Sequence, residues 1–269
     1  MGDADGLARA LVDLQALTER LRRECPWDRA QTARTIVPHT VEEAYEVADA
    51  AMAGDDEKLL DELGDLLFQA YFLSLLLEEK GVGGLAAVAR RVHEKLVRRH
   101  PHVFESSGEV DSPGEVKGRW EDLKTTHEGR EGIFHHVPEA LPALLLAKKV
   151  QRRAATIGFE YPDVRGALAD LEDELEEFRR ALPDVDPPAE VAPEPRVAGE
   201  LGDLLFACVN VARRVNADPE LELRRATARF VERVEEAERL ARAEGLAFAG
   251  LPVEEQDHFF DQAKETERR

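Results

Sequence analysis

The heptapeptide ELGDLLF occurs twice, as Glu62–Phe68 and Glu200–Phe206, and no other feature limits what this chain can fold into so tightly. One such match can arise by chance in a chain rich in Leu and Glu. The flanking segments repeat as well, and in the same order. An acidic stretch precedes each copy, VEEAYEV (41–47) and EDELEEF (172–178), and WEDLK (120–124) is matched by FDQAK (260–264) further on. The spacing differs only by a Pro-rich insertion in the second half, where PDVDPPAEVAPEPR (183–196) holds five of the fourteen prolines. Ordered self-similarity of this kind reads as duplication of one folding unit. The expected domains are residues 1–130 and 131–269.

Each unit is expected to be all-α. Apolar residues recur at helical spacing through most of the chain, and strand-like alternation is almost absent. Loops are expected at 105–115, 128–142 and 183–196, where Gly, Ser and Pro gather. The fold class is therefore two tandem helical bundles. The apolar run Leu66–Leu77 carries Gln69 and Ser74 and is too short to cross a bilayer. The helices around Leu63–Leu77 and Leu201–Val215 are too apolar to face water, so they are expected to pack on another half or another chain, which makes a homodimer the expected assembly. Met52 and Tyr71 read as core, and Cys208 as a small packed hydrophobe. The opening MGDADGLARALVDL lacks a basic segment followed by an apolar one, so no signal peptide is read and the cytoplasm is the expected location.

A formal charge of −20 argues against nucleic acid as a general partner. An acidic chain still binds an anion where divalent cations or local Lys and Arg bridge the like charges. Both devices are visible. Glu43 and Glu46 are three residues apart, as are Glu62 and Asp65; the second half repeats the pattern with Glu174, Glu177, Glu200 and Asp203. Positions i and i+3 share a helix face. Two such helices facing one another would gather four carboxylates, which are the hard oxygen ligands of Mg²⁺ or Mn²⁺. A single ExxE pair is ordinary solvated surface, and Thr40 with Glu43 also fits a capping box. Asp65 and Asp203 weigh against a surface reading because apolar runs follow each of them, so both are expected to be buried. Gly64 and Gly202 are expected where a helix or ligand comes close.

The basic stretches HEKLVRRHPH (93–102) and RRATARFVERV (224–234) place Lys95, Arg98 and Arg99, or Arg225, Arg229 and Arg233, along a helix face able to line a phosphate site. His100, His102, His135 and His136 have no matching carboxylate spacing and read as structural. A di-iron carboxylate bundle needs ExxH on two helices, and the chain has only Glu255–His258. A helical scaffold without chemistry is the other alternative.

CPWDRAQT (25–32), EEAYE (42–46), ELGDLLFQ (62–69) and RRHPHVF (98–104) resemble the N-terminal half of the MazG family. AKKVQRRAATIGFEY (147–161), ELEEF (174–178), ELGDLLFACVNVAR (200–213) and ATARFVERVEEAE (226–238) resemble its C-terminal half, so the likeness spans essentially the whole chain. The resemblance implies an all-α pyrophosphohydrolase fold completed by dimerisation, and Mg²⁺-dependent cleavage of nucleoside triphosphates to monophosphate and pyrophosphate. It implies metal ligation by Glu43, Glu46, Glu62 and Asp65 and by Glu174, Glu177, Glu200 and Asp203. The second set is the expected catalytic one, the first keeps the fuller motif so that either half stays open as the active one, and Glu174 is by its position the candidate proton acceptor. Arg225, Arg229 and Lys264 are expected to bind phosphate, and Lys95, Arg99 and Lys124 to do so in the first half. Trp120 or Phe260 would stack on the base. Two departures stand out: Asp173 replaces the first Glu of the second EExxE, and Phe260 replaces Trp.

Overall fold

The structure, a computed structural model, describes residues 4–104, 132–134, 137–138, 140–183 and 192–267. Every regular element among them is helical, and the chain divides into two compact units, Met1–Gly129 and Arg130–Arg269. No helix is long and apolar enough to cross a membrane among the described residues.

The first unit holds α1 (Ala4–Glu24), α2 (Pro26–Ala30), α3 (Ala33–Ala53), α4 (Asp56–Glu79), α5 (Leu85–Arg99) and α6 (Pro101–Phe104). Helix α3 starts at Thr32, whose extended backbone and hydroxyl accept the Thr35 N–H while the Thr35 hydroxyl accepts the Thr32 N–H at 2.9 Å. This reciprocal cap satisfies two orphan donors. It also corrects the expected cap at Thr40, which lies inside α3 and donates its hydroxyl to the Ile36 carbonyl at 3.4 Å. The helix continues through Pro38, whose ring removes the N–H that would otherwise bond the Arg34 carbonyl. Gly54 ends α3 in the left-handed region at φ 71°, where a Cβ is disfavoured, and Asp55 caps α4 through the Lys58 N–H at 3.0 Å. The two-residue turn folds α4 back along α3.

Ile36, Phe72 and Leu76 form the core of this hairpin, with Phe68 and Leu73 against it. Arg22 of α1 clamps the same end. Its guanidinium donates to Glu79 at 2.7 and 2.9 Å and to the carbonyls of Asp28 and Gln31 at 2.5 and 3.0 Å. Tyr71 is buried as expected. The rest of α4 is less covered than its apolar sequence led us to expect. Leu60, Leu63 and Leu67 are 72, 48 and 40 % exposed, because the core residues and the Arg22 clamp lie toward the other end.

The second unit holds α7 (Ala143–Thr156), α8 (Val164–Ala181), α9 (Pro195–Arg214), α10 (Pro219–Ala243), a 3₁₀ turn (Phe248–Gly250) and α11 (Val253–Glu267). Asp163 caps α8 through the Gly166 N–H, and Asp218 caps α10 through the N–H groups of Glu220 and Leu221 while also holding Lys148 at 2.6 Å. Helices α8 and α9 pair as α3 and α4 do. Helices α10 and α11 meet through Ala237 and Ala241, whose small side chains admit Phe259 and Ala263. Gln151 of α7 donates to the Phe206 carbonyl of α9 at 2.8 Å. Leu201, Leu205 and Cys208, which fall at helical spacing on α9, are all exposed. Cys208 is thus not packed as expected; it belongs to an uncovered apolar stripe.

Candidate functional site

The α3–α4 hairpin carries Glu43 and Glu46 on one helix and Glu62 and Asp65 on the other. One carboxylate oxygen each from Glu43, Glu62 and Asp65 lies within 4.8 Å of the others. Glu46 is a charged neighbour of both Glu43 and Glu62. Burial, then the charges of Asp65, Glu46, Glu62 and Glu42, raise the Glu43 carboxyl above the ordinary carboxylate range. Glu62 is raised by burial and by Glu46, against a small pull from Lys58.

The α8–α9 hairpin builds the same group. Oxygens of Glu174, Glu177 and Glu200 lie within 4.8 Å of one another. Glu174 is raised by burial first and then by Asp203, Glu177, Asp170 and Glu200, so Asp203 is its foremost charged neighbour. In each unit three carboxylates come within 4.8 Å of one another, and the fourth of the expected set, Glu46 or Asp203, is a charged neighbour of that group. Such a group repels itself until protons or a cation neutralise it. All its donors are oxygens, which suits a hard divalent ion better than a soft metal.

Two expectations are corrected. Asp65 and Asp203 are exposed, not buried, because they lie on the open stretch of their helices beside the uncovered leucines. A Cβ added at Gly64 or Gly202 would meet nothing within 4 Å, so neither glycine marks a close approach within the described chain.

The expected phosphate ligands lie on other helices. Lys95 and Arg99 are on α5, Arg225 and Arg229 on α10, and Lys264 and Phe260 on α11. Arg225 pairs with Glu222 at 3.5 Å, and Lys264 with Asp261 at 2.8 Å, in each case a neighbour on its own helix. The Lys264 ammonium sits 4.7 Å from the Phe260 ring centre, and Phe260 packs on Phe230 at 5.6 Å. A cation and an aromatic face are therefore already assembled there. Trp120, Lys124, His135 and His136 lie outside the described residues. His258 of the lone ExxH is engaged with Gln262 at 2.9 Å.

Sequence reasoning missed a cavity of about 630 Å³ in the second unit, lined by Phe134, Gln151, Phe159, Tyr161 and Phe206 and bounded by Asp170 and Glu174. It opens beside the second acid cluster, since Glu174 belongs to both. Its wall is the segment between α7 and α8. Glu160 there is gripped by Arg213 at 2.7 and 2.5 Å, and Tyr161 donates its hydroxyl to Asp170 at 2.7 Å. Gly166 leaves room for Tyr161, because a Cβ would come within 3.1 Å of that side chain. The one available signal was IGFEYP (157–162), an aromatic cluster punctuated by Gly and Pro, which periodicity does not read.

The profile of the MazG nucleotide pyrophosphohydrolase domain matches residues 31–104. A nucleoside triphosphate pyrophosphohydrolase/pyrophosphatase MazG of Thermotoga maritima is 37 % identical over 257 residues, which is 94 % of each chain. A nucleoside triphosphate pyrophosphohydrolase of Escherichia coli K12 is 37 % identical over 264 residues, 94 % of this chain and 97 % of that one. One of the same name from Mycobacterium tuberculosis is 35 % identical over 150 residues, 55 % of this chain and 46 % of that one.

Proposed function

The chain belongs to the MazG family, and from that premise we propose that it is a Mg²⁺-dependent nucleoside triphosphate pyrophosphohydrolase of broad base tolerance that works as a cytoplasmic homodimer. The observation that carries the chemistry is the convergence of Glu174, Glu177, Glu200 and Asp203, repeated by Glu43, Glu46, Glu62 and Asp65. The uncovered leucines of α4 and α9 support the dimer, because a stripe of that kind is buried most simply against a second copy. Both cysteines are free, as a reducing compartment would keep them.

In this reading the four acids of the second unit hold one or two Mg²⁺ ions, with Mn²⁺ as a substitute, and those of the first unit form an equivalent binding site. When bound, such an ion neutralises the triphosphate and acidifies nearby water. Glu174 then takes a proton from the water that attacks the α-phosphorus. Burial, followed by the charges of Asp203, Glu177, Asp170 and Glu200, makes its carboxylate more basic than an ordinary one. Arg225, Arg229 and Lys264 balance the charge on the departing pyrophosphate. Phe260 offers a stacking face to the base, and in the first unit Trp120 with Lys124, Lys95 and Arg99 would fill the corresponding roles.

Incubation with ATP or dCTP and Mg²⁺, followed by chromatography, tests the reading. Monophosphate and pyrophosphate are expected, and excess chelator should abolish their release until Mg²⁺ or Mn²⁺ is restored. Formation of ADP and orthophosphate, or full activity in chelator, would overturn it.

A further inference from the structure

Asp170 stands on α8 one turn before Glu174, and Tyr161 holds its carboxylate. The Tyr161 hydroxyl donates to Asp170 Oδ1 at 2.7 Å. Residues four apart share a helix face, and helical side chains lean toward the N-terminus, so Glu174 leans toward Asp170. The charges agree with that placement. Asp170 acts on the Glu174 carboxyl more strongly than Glu200 does, and both Asp170 and Glu174 act on the Tyr161 hydroxyl. The hydrogen bond to Asp170, then burial and these charges, raise that hydroxyl above its ordinary value, so it stays a donor at neutral pH.

Tyr161 is anchored without that bond. On one side Arg213 grips Glu160 at 2.7 and 2.5 Å; on the other Arg214 donates to the Pro162 carbonyl at 3.0 Å. Asp163 accepts the Gly166 N–H at 3.0 Å, which ties the same segment to α8. The Tyr161 side chain lies against that first turn, where a Cβ at Gly166 would stand 3.1 Å from it. The segment therefore does not need the hydroxyl as a staple. What the hydroxyl does is fix the Asp170 carboxylate, whose Oδ2 no donor engages among the described residues. The first unit is built differently at this register. Four residues before Glu43 stands His39, paired with Glu42 at 3.2 Å and edge-on to Trp27 at 6.0 Å.

We propose that Asp170, oriented by Tyr161, is an outer-sphere positioning residue of the second acid group, accepting a hydrogen bond from water carried by a divalent cation at Glu174, Glu177 and Glu200. The proposal rests on the reading of those acids as a Mg²⁺ site. Mg²⁺ held by carboxylates keeps several of its waters, and each of those waters has protons to give. An acceptor beyond the ligands fixes such a water and is worth about 10–100-fold in metal affinity. The ligating acids supply the charge. Asp170 supplies an oxygen at a fixed place, because the donor that holds it is itself anchored. An imidazole already engaged by Glu42 does not offer the first unit the same acceptor.

The test is Mn²⁺ binding to the full chain, read from the electron paramagnetic resonance signal of the free ion. A background carrying Glu62→Gln and Asp65→Asn silences the first acid group. In that background Asp170→Asn, which keeps the size but can set an N–H where a carboxylate oxygen stood, should weaken binding about tenfold. Tyr161→Phe keeps the Asp170 charge and removes only a hydroxyl from a residue that is 39 % exposed, so folding is not at stake. It should weaken binding in the same direction and leave the urea midpoint unchanged. The double variant should lose no more than Asp170→Asn alone, because the hydroxyl acts only through that carboxylate. Weaker binding in Asp170→Asn with none in Tyr161→Phe would mean that Asp170 acts by charge alone, and would overturn the proposal. So would unchanged affinity in both variants, losses that add in the double variant, or a fall in urea midpoint that accounts for the Tyr161→Phe loss. A background protein that binds no Mn²⁺ would overturn the proposal together with the metal reading. The expected losses, in a wild type that releases no pyrophosphate from ATP or dCTP, would refute the hydrolase reading and leave the positioning role standing.

Discussion

Glu160→Gln tests whether the ion-pair bridge between Glu160 and α9 holds the wall of the cavity. The carboxylate accepts two hydrogen bonds from Arg213 at 2.7 and 2.5 Å and lies 3.6 Å from Arg214. The side chains of Glu160, Arg213 and Arg214 are 20, 12 and 24 % exposed, so the bridge is mostly but not fully out of water. Removing one partner of a fully buried pair costs about 3–5 kcal/mol. Here water reaches the group, and both arginines sit in the last turn of their helix, where its dipole favours cations, so about 2 kcal/mol is expected. For a chain of this size that lowers Tm by about 4–8 °C. The pH dependence is the sharper signature. Arg213's hydrogen bonds, followed by the charges of Arg213 and Arg214, hold the Glu160 carboxyl below its ordinary value against a cost of burial. A depressed carboxyl contributes stability that is complete above its unfolded value, about 4.3, and is lost as pH falls through its folded value. The gap between wild type and Glu160→Gln should therefore be flat from about pH 6 to 8 and close below about pH 4. Urea denaturation followed by circular dichroism at a series of pH values measures it. A gap under about 0.5 kcal/mol at pH 7, the scale of an ordinary surface substitution, would refute the bridge as a structural element. So would a gap that persists unchanged at pH 3.

Thr32→Ala removes the hydroxyl half of the α3 cap and should cost about 1 kcal/mol in urea denaturation, whereas Thr40→Ala, on the residue first expected to cap, should cost less. Asp203→Ala should abolish most pyrophosphate release while Asp65→Ala keeps most of it, with circular dichroism confirming that both variants fold. The reverse ranking would place catalysis in the first unit, and retention in both would mean that neither aspartate serves a catalytic ion.

The fold class was legible because helical periodicity and the repeated ELGDLLF are local signals, written in consecutive residues. The acid clusters were legible for the same reason. The i, i+3 spacing puts two carboxylates on one helix face, and a short turn such as Gly54–Asp55 makes the facing helix inevitable. Burial was harder to read. The apolar run after Asp65 led to the expectation of a buried aspartate, yet coverage of α4 depends on what packs on it from elsewhere, and the core of Ile36, Phe72 and Leu76 lies further along. The cap at Thr40 failed because Thr-x-x-Glu is a common pairing, and a stronger reciprocal cap at Thr32 starts the helix sooner. The cavity escaped because its lining comes from α7, the segment before α8 and one face of α9, which no single window of sequence brings together.

The charge of the chain makes the division of labour between these features intelligible. At −20, the protein repels a nucleoside triphosphate at long range, and each acid cluster repels it further at short range. Attraction must then come from cations at the cluster and from groups whose recognition does not depend on net charge. The cavity beside Glu174 offers such groups in the aromatic faces of Phe134, Phe159, Tyr161 and Phe206. A triphosphate without a base gains only the first attraction, and a nucleoside without phosphates only the second. Glu174 belongs both to the acid cluster and to the cavity lining, so a ligand that meets a cation at the acids and an aromatic face in the cavity gains both attractions, which is how a chain hostile to anions in general can hold one.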